Sequence, residues 1–367
     1  MNYRRRALAA LVAALVTGGL LAEADAQDKK AQPQQKRKEV RVPYLQYPLG
    51  GGWEGYIIFD RYVAQNHPWV RPVQQETAGY VHNLKVMAKD KALQKTATFG
   101  SSTLAIYLAE TGYKPFFDEP LKVDDIRHLH GEYLLGQCWF VTFDPSIKSV
   151  ADLKGKAIGI GLKTQTHWGG ATTFMLEKAY GVTVDNTKIN NLGPVRAMDS
   201  LFDGQTAAAL LSVNVDATQK RFQVGPTVTR IAASATRQYH MIPWPKDVVA
   251  KVVRETGFPI YSITIPANTL PNQPQPFEIY ADIGTRSVHK DFPEELAYEL
   301  TKAFIEIGPR AGALSTIGVL WNKETMVSPF AFDWKHKDKI HPGAKRAFEE
   351  AGMWPPEKIW KPIPVEK

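Results

Sequence analysis

From residue 40 onward, the chain repeats one pattern: a short apolar run, a turn rich in Gly, Ser or Thr, and an amphipathic stretch. In the first repeat, Val40–Leu45 leads through Gly50–Gly52 into Trp53–Asn66, whose apolar residues fall near one helical face. Short strands that alternate with helices predict a largely parallel sheet with helices on its faces, and therefore an α/β fold. Further units of this kind contain the runs Val70–Glu76, Thr96–Phe99, Ala157–Gly161, Lys188–Asn190, Ala207–Leu211 and Val228–Ala232.

We expect two lobes, because the pattern comes in two series and the length suits two domains of ~100–200 residues each. Lobe one begins with residues 40–137, lobe two comprises residues 138–262, and residues 263–367 return to lobe one and end in a C-terminal helix and tail. The expected crossings lie near Gln137–Phe143 and Tyr261–Pro266. A ligand cleft then lies between the two lobes.

The N-terminus has the three parts of a secretory signal peptide. Arg4–Arg6 precede the apolar run Ala7–Leu21, and Ala24–Ala26 reads Ala-Asp-Ala before Gln27. The apolar run is shorter than the ~20 residues that a spanning helix needs. We therefore expect residues 1–26 to be removed on export to the periplasm. The polar, basic segment 27–39 predicts a disordered tether.

The charge of the chain does not indicate a nucleic-acid partner. The formal net charge is +8, but the first 39 residues carry four of these eight charges. The rest of the chain is therefore not basic enough to be interpreted as a polyanion binder. The single cysteine, Cys138, excludes an intramolecular disulfide. Because Trp139 and Phe140 follow it, we expect Cys138 to be a buried strand residue.

The turns between runs and helices predict where a ligand binds. In open α/β sheets, ligands bind beyond the carboxyl ends of the strands, where helix N-termini present backbone N–H groups that favour anions. Glycine lets the backbone approach a ligand, and Ser or Thr adds a hydroxyl, although the same residues are also common caps and turns. The candidate ligand-binding residues are Gly51, Gly52, Trp53, Gly79, Tyr80, Asn83, Gly100, Ser101, Ser102, Thr164, Gln165, Thr166, His167 and Trp168.

Five motifs follow one another in a recognisable order. They are the Gly-Gly entry to the first helix, Thr77–Leu84 (TAGYVHNL), Asp152–Lys156 (DLKGK), Leu201–Ala208 (LFDGQTAA) and His341–Ala344 (HPGA). In order and spacing they resemble the TAXI-type (TRAP-associated extracytoplasmic immunogenic) solute receptors. The resemblance implies a periplasmic-binding-protein fold of the second type. It also implies that a solute such as glutamate or another organic acid is handed to TRAP-type membrane subunits.

The resemblance is incomplete at the predicted ligand loops. Asn83 matches the Asn of the family pattern Thr-Gly-Gly-Ser-x-x-Asn, but Tyr80 stands where that pattern has its Ser. In lobe two, Thr164–His167 replaces a Gly-Ser-Gly-Thr-like loop, and the bulky Trp168 follows. These departures argue for a solute other than glutamate.

We expect the ligand to be a small carboxylate with an apolar or aromatic body. The helix-entry loops favour the anion, and Trp53, Tyr80 and Trp168 could stack on a flat body, unless these rings belong to the core. We expect a monomer without a cofactor and without catalytic residues. An ABC-type uptake receptor and a periplasmic sensor subunit remain alternatives.

Other chemistry has weaker support. Gly100–Ser102 does not have the Gly-x-Ser-x-Gly pattern of hydrolases. A pair formed by Ser101 and His167 would need an orienting carboxylate that the sequence does not place. His128 and His130 alternate on a predicted strand, but no third metal ligand is near them in the sequence. A hydrolase built on the same fold is therefore the least favoured alternative, and we predict no metal site.

Overall fold

The long strands of this protein are its organising feature. The structure is a computed structural model that describes residues 37–49, 53–234 and 236–361. The predicted signal peptide, most of the predicted tether, and the candidate residues Gly51 and Gly52 lie outside the described residues. Within that described part, no helix combines the length and the apolar character that a membrane crossing requires.

The strands are β1 (Val40–Leu45), β2 (Val70–Gln75), β3 (Thr98–Ser102), β4 (Ile126–Thr142), β5 (Ala157–Ile160), β6 (Lys188–Asn191), β7 (Ala209–Val215), β8 (Phe222–Val224), β9 (His240–Ile242), β10 (Tyr261–Ile265) and β11 (Phe277–His289).

Helices cover the strands and connect most of them. A π-helical turn, Thr166–Ala171, leads into the helix that follows β5. The helices are α1 (Trp53–Asn66), α2 (Tyr80–Lys89), α3 (Lys91–Thr96), α4 (Thr103–Thr111), α5 (Thr172–Tyr180), α6 (Pro194–Phe202), α7 (Pro226–Ser234), α8 (Lys246–Thr256), α9 (Glu294–Ala311), α10 (Lys323–Ala331) and α11 (Pro342–Glu350).

Lobe one is built on the strand order β2-β1-β3-β11-β4. The first three strands are parallel to each other, while β11 runs antiparallel to both β3 and β4. In this lobe, β4 and β11 pair from Ile126 opposite His289 onward. The carboxyl ends of β1, β2 and β3 therefore lie at one edge of the lobe, where α1, α2 and α4 follow them.

Lobe two is built on the other ends of the same two long strands. The C-terminal part of β4 pairs antiparallel with β7 and with β9, and the N-terminal part of β11 pairs with β10. β5 and β6 are parallel, and the N–H of Gly159 donates to the carbonyl of Ala208 at 2.9 Å, which ties them to the segment before β7. β4 and β11 thus belong to both lobes.

This topology confirms the predicted two-lobed α/β architecture. The first crossing follows β4, and the chain returns along β11 (Phe277–His289) rather than at Tyr261–Pro266, because β10 first completes an edge of lobe two. The predicted boundaries at 137/138 and 262/263 stay predictions. Cys138 is buried in β4, as expected.

Local sequence explains where several helices begin and end. α4 begins after Ser102, whose Oγ accepts a hydrogen bond from the N–H of Ala105 at 3.2 Å. It ends at Gly112, whose φ of 63° is a left-handed conformation that glycine adopts without strain. The predicted strand at Val228–Ala232 is wrong, because α7 covers it with the helical spacing of the buried residues Val228 and Ile231.

The predicted turn at Gly100–Ser102 is also wrong. These residues complete β3 and pair with β11, with Gly284 opposite Ser102. β11 lies beside β3, and the pairing between them extends as far as Ser102, the residue before α4. A local pattern cannot indicate this extension, because the partner strand is more than a hundred residues away in the sequence.

Candidate ligand-binding site

A row of aromatic rings runs from lobe one to lobe two at the carboxyl ends of the strands. Trp53 is 6.4 Å from Tyr47, Tyr47 is 6.2 Å from Tyr80, and Tyr80 is 5.6 Å from His167 of lobe two, between ring centroids in edge-to-face geometry. A Cβ at Gly100 would lie 2.8 Å from the Tyr80 ring, so this ring needs a glycine beneath it. Trp53, Tyr80, Gly100 and His167, which the sequence predicts separately, are therefore neighbours.

Four tyrosine side chains surround one buried carboxylate. The Tyr56 hydroxyl donates to Glu132 Oε2 at 2.8 Å, and the hydroxyls of Tyr80 and Tyr133 lie 3.3 Å apart. Burial, together with the negative charge of Glu132, raises the pKa of Tyr47, Tyr56, Tyr80 and Tyr133 well above 10. All four phenols therefore stay neutral at physiological pH and act as hydrogen-bonding groups.

Arg286 neutralises Glu132. Its Nε and Nη2 both lie 3.0 Å from Glu132 Oε1, and both side chains are almost fully buried. The guanidinium lies 4.8 Å from the centre of the Tyr44 ring and 5.2 Å from that of Tyr56. Burial lowers the pKa of Arg286, but Glu132 together with the neighbouring tyrosines raises it, and the net shift is upward. Arg286 is thus committed to the protein and offers no free charge to an anionic ligand.

A second carboxylate occupies the helix N-terminus that the sequence suggests for a ligand. Asp282 of β11 accepts from the N–H of Leu104, in the first turn of α4, at 3.4 Å. His167 Nε2 lies 3.3 Å from Asp282 Oδ1, which links the lobe-two loop to the crossover strand. An external anion at the start of α4, beside Ser102, would meet this buried negative charge.

The lobe-two loop before the π-helical turn is shaped by Gln165. Its Oε1 accepts from the N–H of Leu162 at 2.9 Å, and its carbonyl accepts from the N–H of Gly169 at 2.9 Å. The side-chain oxygen and the backbone carbonyl of Gln165 are therefore both hydrogen-bonded within the loop. Trp168 packs directly over the backbone of Gly161, where an added Cβ would lie 2.2 Å from Trp168 Cβ.

Asn83 and Gly79 hold the lobe-one side in position. The Asn83 amide Nδ2 donates to the carbonyl of Gln46 at 2.7 Å and to that of Gly100 at 3.1 Å. Gly79 has a φ of 111°, and a Cβ there would lie 3.1 Å from the carbonyl oxygen of Thr164. Gly79 and Thr164 thus lie close together across the lobes.

Four candidate residues carry a buried polar atom that has no hydrogen-bond partner in the part of the chain that the structure describes. The atoms are Trp53 Nε1, Asn83 Oδ1, Ser101 Oγ and Thr166 Oγ1. The conceivable Ser101–His167 pair is therefore not assembled, although Asp282 stands at the orienting position that it would need. Buried polar groups are usually hydrogen-bonded, so these four atoms call for an explanation.

Several residues of the site are not predicted by any motif of the sequence. Three of them leave a signal that could have found them, since Glu132, Asp282 and Arg286 are charged residues inside largely buried strands. The pairing of Glu132 with Arg286 is visible only once β4 lies beside β11. The residues that were not predicted are Tyr47, Tyr56, Glu132, Tyr133, Asp282 and Arg286.

The two strand histidines have other partners. His128 Nδ1 lies 2.9 Å from Ser287 Oγ, and the His130 ring stacks on Phe304 at 3.8 Å. Burial lowers the pKa of both imidazoles to about 3, so both are neutral. Among the described residues, no group of three or more His, Cys, Asp or Glu side chains could hold a metal ion.

A family model described as the NMT1-like family matches residues 47–352, which include both lobes and the aromatic row. The chain belongs to the NMT1-like family. This match does not extend to the narrower TAXI group, which stays a prediction from the motifs.

Solved structures similar to this NMT1-like chain have low identity. A sulfonate-binding protein, described as SsuA of a putative sulfonate ABC transporter from Methylobacillus flagellatus KT, is 12% identical, with a TM-score of 0.48 over 89% of this chain and 98% of that one. The alkanesulfonate-binding protein SsuA from Xanthomonas axonopodis pv. citri, solved with MOPS, is 11% identical, with a TM-score of 0.41 over 77% and 79%. An R. palustris protein solved with adipate is 15% identical, with a TM-score of 0.44 over 76% and 87%. These likenesses concern the fold alone.

Proposed function

We propose that this protein is a periplasmic solute-binding protein that holds a small organic acid between its lobes and delivers it to a membrane transporter, without catalysis. The observation that carries the proposal is the set of four unpartnered, buried polar atoms. Three of them belong to lobe one, and Thr166 Oγ1 belongs to lobe two. A ligand between the lobes would give partners to atoms of both, and contact with both lobes is what favours a closed state.

The carboxylate end of the ligand is best accommodated in lobe two. The first N–H groups of a helix have no acceptor within the helix, and the π-helical turn Thr166–Ala171 leads directly into α5. Thr166 Oγ1 adds a hydrogen-bonding group at the same place, whereas His167 Nε2 already faces Asp282. In lobe one, Asp282 already lies at the start of α4, which disfavours a second anion there.

The body of the ligand is best accommodated in lobe one. Trp53 and Tyr47 are half-buried beside the buried Tyr80, and stacking on such rings contributes ~0.5–1.5 kcal/mol beyond the buried area. The neutral phenols can also bind a polar substituent. These features support an aromatic or apolar body, and they differ from the small serine that the TAXI pattern has at the position of Tyr80.

Tryptophan fluorescence titration tests this proposal with phenylacetate, phenylacetamide and glutamate. We expect phenylacetate to bind most tightly and the amide to bind far more weakly, because the amide lacks the charge. Equal binding of acid and amide would contradict the anion site, and tighter binding of glutamate would contradict the aromatic body. Trp53→Phe identifies the signal that arises at the cleft, since it keeps an aromatic ring at that position.

Closure of the lobes is a separate test. Solution scattering with saturating phenylacetate should give a smaller radius of gyration than the ligand-free protein, and an unchanged curve at saturation would argue against closure. The expected transporter is of the TRAP type. The genes encoded beside this one distinguish it from an ABC permease with its ATPase and from a sensor kinase.

A further inference from the structure

A chain of side-chain hydrogen bonds leads from the buried centre of lobe one to its edge. Arg286 Nη2 donates to Gln46 Oε1 at 2.8 Å. Gln46 Nε2 donates to Gln74 Oε1, and Gln74 Nε2 donates to Asp60 Oδ1 at 2.7 Å. Gln46 is fully buried, whereas Gln74 and Asp60 are half-buried. The chain thus connects the guanidinium to a carboxylate that solvent can reach.

The two ends fix the direction of every bond in this chain. A guanidinium can only donate, and an ionised carboxylate can only accept. Gln46 must therefore present its oxygen to Arg286, and Gln74 must present its NH₂ to Asp60. If either amide turned end for end, donor would face donor or acceptor would face acceptor.

The inner end of the chain is part of the candidate site. Arg286 binds Glu132, and Glu132 accepts from the hydroxyl of Tyr56, whose ring lies 6.3 Å from Tyr47. Asp60, on α1, is thus connected to the tyrosine rings of lobe one only indirectly, through this series of hydrogen bonds.

We propose that Asp60 is a positioning residue, which when ionised strengthens the hydrogen-bond chain that holds Gln46 beside Arg286 and thereby makes the ligand site sensitive to pH. The positioning role stands on the hydrogen bonds alone. The effect on affinity rests, in addition, on the proposed function of the site.

The environment of Asp60 sets the relevant pH. Burial raises the pKa of Asp60 to about 7, and the hydrogen bond from Gln74 and the charge of Arg286 only partly offset burial. The titratable and charged groups that interact with it are Arg286 on β11 and Tyr44 on β1, and burial keeps Tyr44 neutral. Protonation weakens the last bond of the chain but cannot reverse the chain, because Arg286 still requires an acceptor.

The test follows the side-chain amide of Gln46 by NMR in ligand-free protein labelled with ¹⁵N-glutamine. In the wild type, we expect this signal to shift with a midpoint near the pKa of Asp60, about 7. Asp60→Asn keeps an acceptor but does not titrate, and Gln74→Leu interrupts the chain while Asp60 remains. The shift should disappear in both variants. Gln75, which is exposed, is the internal control.

Two results would overturn the proposal: a Gln46 signal that does not follow pH in the wild type, or one that still does so in Gln74→Leu. Gln74→Met replaces Gln74→Leu if the latter does not fold. With phenylacetate as probe, the dissociation constant should rise below pH 7 by about tenfold or less, and should stay constant in Asp60→Asn. A probe that does not bind at all would contradict the proposed function, while the Gln46 titration would still decide the role of Asp60.

Discussion

The two sides of the candidate site differ in how far their polar groups are already paired. On the lobe-one side, Glu132, Arg286 and Tyr56 are buried and bind one another. On the lobe-two side, Thr166 Oγ1 is buried and has no partner among the described residues, and His167 reaches across to Asp282 on the shared strand β11. If the proposed function holds, lobe one provides an assembled surface, and a ligand would complete the hydrogen bonding of lobe two.

The largest expected effect concerns the ion pair of lobe one. Arg286→Met leaves Glu132 buried without its counter-charge, so we expect the free energy of unfolding to fall by about 3–5 kcal/mol in urea denaturation. Adding Glu132→Gln to this variant should recover part of the loss. Arg346→Met, which breaks an exposed pair with Glu295, is the control and should cost less than about 1 kcal/mol. A loss as small as the control's would show that lobe one is not assembled around this pair.

Of the two polar side-chain atoms of Asn83, one is hydrogen-bonded within lobe one, and the other has no partner among the described residues. Its Nδ2 holds the carbonyls of Gln46 and Gly100, while its Oδ1 has no partner. Asn83→Ala should therefore destabilise the ligand-free protein by about 1–3 kcal/mol, measured by urea unfolding. Ser101→Ala, which removes only an unpartnered hydroxyl, should not destabilise it. If Asn83→Ala leaves stability unchanged but abolishes phenylacetate binding, Asn83 acts mainly on the ligand.

A separate effect on stability should depend on pH. The pKa of Asp60 is about 7 in the folded protein and ~3.9 in an unfolded chain, so the folded state binds the proton more tightly between these values. The free energy of unfolding should therefore fall as pH rises through this interval and become level above about 7. Compared by urea unfolding at several pH values, Asp60→Asn should lack this fall. The control is Asp333→Asn, because the Asp333 side chain is 95% exposed. An Asp60→Asn profile parallel to the wild type would contradict the assignment.

The smallest expected effect on stability concerns Thr166 in lobe two. Thr166→Val removes a buried hydroxyl that has no partner, so the ligand-free protein should gain about 1 kcal/mol or less. Thr301→Val is the matched control, since the Thr301 hydroxyl in α9 is also buried and unpartnered. Both variants should be at least as stable as the wild type in urea, but only Thr166→Val should weaken phenylacetate binding, by about tenfold. Equal affinities in the two variants would remove Thr166 from the site.

Most of the elements could be predicted because their signals are local. The sequence predicted β1 and α1 with the observed bounds, since both have clear periodicity and a glycine-rich turn separates them. It missed the extension of β3 through Gly100–Ser102, which depends on pairing with a distant strand. The candidate residues Trp53, Tyr80 and His167 were predicted one loop at a time, and the contacts among them were not.

The sequence by itself determined the alternation of strands and helices, and thereby an α/β chain with loops at the carboxyl ends of its strands. Only the tertiary structure decided which charges are still available to a ligand. Glu132 and Arg286 are 154 positions apart in the sequence, and they neutralise each other because β4 and β11 lie side by side across both lobes. The same two strands bring Asp282 to the start of α4 and within reach of His167. A local pattern records the propensity of each segment, but the electrostatics of a buried site depends on strand neighbours that the chain brings together only when it folds.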